Sequence, residues 1–132
     1  VMLSPQREPQ AHSYVESARS YLSQAADLLK AGEAHKAGEL LWGALVAATN
    51  ALALSRSGRA LSSHRETVQF LRELAGPDPE LSRLREDGEK LHANFYHRFL
   101  DIKDLSEMAP RLEEGIHRLV ALTSGQPPTQ RS

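Results

Sequence analysis

The segment LHANFYHRF, residues 91–99, gathers two histidines, an asparagine, a tyrosine and an arginine within nine positions. Histidine ordinarily titrates near neutral pH, which suits His92 and His97 to taking and returning a proton, while Arg98 can hold an anionic oxygen. These are the parts that metal-free RNA cleavage needs: a base for the ribose 2′-hydroxyl, an acid for the departing oxygen and a cation for the charge that builds on phosphorus. A second group lies upstream. Between Ser55 and Arg72 stand Arg56, Arg59, Arg65 and Arg72 against one acid, Glu66, with His64 and several hydroxyls among them. Such local positive charge can hold phosphates by charge-assisted hydrogen bonds. Both groups also have a plainer explanation. A histidine and an asparagine beside a helix seam are commonly partnered core groups, and an arginine-rich loop is commonly a solvated one.

Other chemistries fare less well. Glu89-x-x-His92 and Glu114-x-x-His117 match the Glu-x-x-His spacing of di-iron bundles. On a helical wheel, however, Glu114 points away from the Leu112 and Ile116 stripe and Glu89 falls outside the core. No metal and no other cofactor is therefore expected. The chain has no cysteine, hence no thiol nucleophile or disulfide, and neither a glycine-rich phosphate loop nor a Gly-x-Ser-x-Gly elbow.

The elements that must position these residues are helices. Tyr14, Ala18, Tyr21, Ala25, Leu28 and Leu29 recur at three-to-four spacing before Gly32, and an alanine-rich segment from Glu33 to about Ser55 has the broadest apolar face. Residues 55–64 read as a loop. Val68, Leu71 and Leu74 mark a short helix ended by GPDP, where Asp78 caps a fourth helix with Pro79 in its first position. That helix carries Leu81, Leu84, Gly88, Leu91, Phe95 and Phe99 on one stripe. About 55° off its centre lie His92, Arg85 and Tyr96, with Asn94 and Arg98 on the other shoulder and His97 facing away. A fifth helix, capped by Asp104 or Ser106, carries Leu105, Met108, Leu112, Ile116 and Leu119, with Pro110 near its first turn. The expected fold is all-α, an antiparallel up-and-down bundle of four to five helices. It spans residues 11–123, between disordered tails at 1–10 and 124–132 that are rich in Pro, Gln and Ser.

Sixteen basic and seventeen acidic side chains in 132 residues leave the chain near neutral, against coating of nucleic acid by bulk charge. The apolar run LLWGALVAA is shorter than a membrane span and no signal peptide is visible, so a cytoplasmic protein without membrane contact is expected. Trp42, the single tryptophan, reads as a core residue, and Glu39, three residues before it, must be paired or exposed.

Three segments in order, KAGELLWGALVAATNALA (36–53), LSSH (61–64) and LHANFYHRFL (91–100), resemble the PaREP1 type of the HEPN superfamily, small helical proteins named for nucleotide binding in prokaryotes and higher eukaryotes. The resemblance implies a helical bundle, a homodimer, and binding of nucleotide or RNA. Many HEPN proteins are metal-independent RNases carrying Arg, four to six residues, then His; here Arg85 and His92 have six residues between them. His92 and His97, with four between, fit the helix geometry of that pattern with histidine in place of arginine. His97 also stands where PaREP1-type members typically carry an acid after Asn-Phe-Tyr. The resemblance thus implies catalysis by His92, His97 and Arg98, with His64, Arg65, Arg85, Asn94 and Tyr96 binding the ligand, in prokaryotic defence or stress response of the toxin–antitoxin kind. The rival expectation is a non-catalytic module that docks a nucleotidyltransferase-like protein partner.

Overall fold

The computed structural model describes residues 7–125 as five helices: α1 (Arg7–Lys30), α2 (Ala34–Ser57), α3 (His64–Ala75), α4 (Pro79–His97) and α5 (Ile102–Thr123). No strand occurs among the described residues, and the fold is an all-α helical bundle. α1 begins at Arg7, so the end of the expected N-terminal tail is helix; residues 1–6 and 126–132 lie outside the described residues.

α2 is the centre, packing against each of the other four helices. Its sequence explains why. Ala37, Ala44, Ala47, Ala48, Ala51 and Ala53 are all buried, and side chains this small let neighbouring helices approach closely. Three residues join α1 to α2, with Gly32 at a positive φ of 75°, so the two run side by side as an antiparallel hairpin. At 24 residues α2 is longer than the apolar run alone suggests, and it is long and apolar enough to cross a membrane. Yet 72% of its most apolar window is buried inside the bundle, as in a core helix.

The expected cap of α4 is present. Asp78 accepts hydrogen bonds from the Glu80 and Leu81 backbone N–H groups at 3.0 and 3.1 Å, and Pro79 opens the helix. Arg118 of α5 donates to both Asp78 and Glu80. The Arg118 guanidinium, with those two backbone donors, holds the Asp78 carboxyl at about 2, against an ordinary 3.8. A carboxylate with a depressed folded pKa stabilises the fold above about pH 4, and that contribution is lost as pH falls toward 2. With its side chain 30% exposed, the gain is about 1 kcal/mol after solvent screening. Thermal melts should show the stability gap between the protein and Asp78→Asn shrinking across that window.

α5 starts earlier than expected. Asp101 is its N-cap and Asp104 the third helical residue, each side chain accepting from the other's backbone N–H, a reciprocal capping box. Pro110 is therefore well inside the helix rather than in its first turn. Its side is exposed, so the Ser106 carbonyl that lacks a helical donor lies toward water.

The α4 stripe holds at Leu81, Leu84, Gly88 and Leu91 but not at Phe95 and Phe99, which are 45% and 52% exposed. Asn94, 2% exposed, occupies the next core position instead. Its Oδ1 accepts the Leu100 N–H at 2.8 Å, across a turn in which Arg98 takes a left-handed φ of 49°. That turn ends the helix at His97, and the stripe ends with it. Gly38 of α2 makes room: a Cβ there would sit 3.1 Å from Asn94 Nδ2.

Candidate functional site

Three helices bring Trp42, His64 and His92 together. Gly88 lets α4 lie close to α2, since a Cβ there would stand 2.7 Å from Leu45 Cδ2 and 3.6 Å from Trp42 Cζ3. One turn further along α4, His92 reaches the Trp42 ring at a centroid distance of 5.2 Å. His64 opens α3, and the loop before it is pinned. Asn50 of α2 accepts the Leu61 N–H at 2.6 Å, Glu66 accepts from the Ser62 N–H and Oγ–H, and Ser63 Oγ caps the helix by accepting the Glu66 N–H at 3.1 Å. Held this way, His64 lies 5.5 Å from Trp42 and stacks on His92, with centroids 3.7 Å apart and planes 7° from parallel. Tyr96, one turn beyond His92, meets that ring edge-on at 5.4 Å.

Both histidines bury Nδ1 without a hydrogen-bond partner, while both side chains remain partly exposed. Each ring thus turns the same edge inward, and Nε2 is the nitrogen each can offer outward. Burial, and then the charge of His64, push the His92 pKa below its ordinary 6.5. His92 is a neutral proton acceptor at neutral pH.

The other expected site residues are distributed unevenly. Arg65 is exposed beside His64. Arg85 shares the His92 face of α4 two turns earlier, about 10 Å along the axis, half-buried and paired with Glu89 and Glu86. Asn94 is in the core, holding the turn after α4, and does not line the cluster. His97 and Arg98 are exposed at the end of α4, and His97 lies about 140° around the helix from His92. Neither joins the ring cluster. Trp42 is partly buried: it packs against the core, as expected, and also meets the rings of His64 and His92. Glu39 is both paired, with His35 Nε2 at 2.8 Å, and 42% exposed. Of the Glu-x-x-His pairs, Glu89 is committed to Arg85 and Glu114 lies on the exposed side of α5. Among the described residues, no group of three or more metal-ligating side chains is gathered.

The family model described as the archaeal PaREP1/PaREP8 family matches residues 13–116. The chain belongs to this family. The PaREP1/PaREP8 match runs from α1 into α5 and takes in Trp42, His64 and His92. No curated protein and no solved structure matches the chain. For this PaREP1/PaREP8 protein, what the ring cluster can do therefore follows from its geometry.

Proposed function

We propose that this PaREP1/PaREP8 protein is a HEPN-like protein that binds RNA at the His64–His92 pair and cleaves it without a metal ion. The observation that carries this reading is the stack itself: two imidazoles at 3.7 Å with the same edges turned inward, near three arginines, Arg56 in the last turn of α2, Arg59 in the connecting loop and Arg65 in the first turn of α3. In the proposed reaction neutral His92 takes the 2′-hydroxyl proton as that oxygen attacks phosphorus. The phosphorus–O5′ bond breaks, and His64 delivers a proton to the departing oxygen. The products are a 2′,3′-cyclic phosphate and a 5′-hydroxyl, with no net change in protons. Arg65 supplies positive charge for the phosphate, and Arg85, two turns along the same face, is placed for a neighbouring one. Both histidines come from one chain. A homodimer, as the HEPN resemblance implies, would repeat the pair rather than complete it.

The test is cleavage of a mixed-sequence RNA in EDTA, with end-group analysis of the products. Cyclic phosphate ends whose yield falls sharply, to a residual level, in His64→Ala support the reading. Absence of cleavage by the folded parent overturns it and favours a partner-docking module, for which the exposed Phe95, Tyr96 and Phe99 are the specific observation.

A further inference from the structure

Large apolar side chains are usually buried, and those that are not ask for an explanation. Among the described residues the exposed ones are Phe95, Tyr96 and Phe99, at 45%, 67% and 52%. All three fall within five consecutive residues, interleaved with the exposed His97 and Arg98. Their exposure follows from the fold. Asn94 takes the core position, the left-handed turn at Arg98 ends the helix, and the rings that would have continued the stripe are carried outward. Phe95 and Tyr96 meet edge to face at 5.1 Å, so they stand as a paired surface rather than as two separate side chains.

This row is continuous with the proposed RNA site. Tyr96 contacts His92, His92 stacks on His64, and His64 is followed directly by exposed Arg65. Exposed cations thus accompany the rings, Arg65 directly after His64 and Arg98 among the rings themselves. The neighbouring acids face their own partners: Glu66 accepts from Ser62 and lies 3.9 Å from Arg59, and Asp101 and Asp104 cap α5. Exposed rings flanked by cations are the arrangement that binds single-stranded nucleic acid, because every base offers a face for stacking while its phosphates seek positive charge. A duplex hides those faces.

We propose that Phe95, Tyr96 and Phe99 form a stacking platform for unpaired bases, which leads a single strand to the His64–His92 pair and makes single-stranded RNA the substrate class. This rests on the RNA-cleaving reading above. The same rings would suit a second copy of the chain, and the test separates the two occupants. A fluorescein-labelled, mixed-sequence 12-mer of 2′-O-methyl RNA, which a 2′-hydroxyl mechanism cannot cleave, is titrated as single strand and as duplex with the parent and with the Phe95→Ala, Phe99→Ala double variant. Both substituted rings are exposed, so the fold should persist by circular dichroism. The expected result is preference of the parent for the single strand and a loss of about tenfold or more in the variant, with the salt dependence unchanged because no cation was removed.

Equal single-strand affinity of variant and parent overturns the platform; if the parent still cleaves RNA in EDTA, the reading of the histidine pair stands without it. A parent that sediments as a dimer while the variant is a monomer overturns it as well, assigning the rings to a self-interface. Failure of the folded parent to bind either form overturns the platform, and cleavage of unmodified RNA in EDTA then decides the histidine pair separately.

Discussion

His92→Ala should lower RNA cleavage in EDTA by about 100- to 10,000-fold, the usual worth of a positioned general base, while His97→Ala should leave it within a few-fold. The difference rests on placement. His92 sits against Trp42, His64 and Tyr96, whereas His97 projects from the far side of the last turn of α4. A structural role for His92 would also lower activity, so the pH profile supplies the second readout. Burial and the His64 charge hold the His92 pKa below 6.5, and a base stays competent down to its own pKa. The acid limb of kcat/KM should therefore lie below pH 6.5. In His64→Ala, residual cleavage should show that limb moved upward, because one of the two causes has gone. An acid limb that stays put in that variant would separate His64 from the titrating base.

Arg111→Ala should be the most destabilising single change at a charged position, by about 3–5 kcal/mol, or a fall of roughly 10–20 °C in melting temperature. Arg111 donates to both oxygens of Asp87 at 2.7 and 3.0 Å, tying α5 to α4. The two partners are not equally buried. The Asp87 side chain is 4% exposed and that of Arg111 36%. Removing the carboxylate leaves a guanidinium that water can reach, whereas removing the guanidinium strands a buried negative charge. Asp87→Asn should accordingly destabilise less than Arg111→Ala. Adding Asp87→Leu to the Arg111→Ala background should recover much of the loss, since no charge is then left in the seam. Thermal or urea unfolding of the three variants checks the order.

The helices were legible in the sequence because each leaves a local trace. The three-to-four apolar spacing fixes α1, α2 and α5, and Asp78 with Pro79 fixes the start of α4. What could not be read depends on groups distant along the chain. Asp104 looked like a cap and Asp101 is the cap, because the reciprocal bonds between them require the turn that Asn94 builds by binding Leu100. Phe95 and Phe99 continue an apolar period, and only the position of Asn94 beside Gly38 shows that the core has ended there. The site was legible in part. His92 does lie on the partly exposed shoulder that its wheel position implied. Its partner could not be inferred from spacing, since His64 is on another helix and its orientation follows from the pinned loop before it. The three segments that carried the family resemblance supply one ring each, Trp42, His64 and His92, so a pattern visible only as order along the chain becomes a single contact cluster in space.

The central position of α2 also bears on how the protein is made. As the chain leaves the ribosome, α1 and α2 emerge early and can close their hairpin from nearby residues alone. The rest of the apolar α2 surface is covered by α4 and α5, and α5 is synthesised roughly several seconds later at ordinary translation rates. During that interval the most apolar helix stands bare on one side. Nascent chains of this protein should therefore engage chaperones between the synthesis of α2 and that of α5, and interruption of translation in that interval should yield an aggregation-prone fragment.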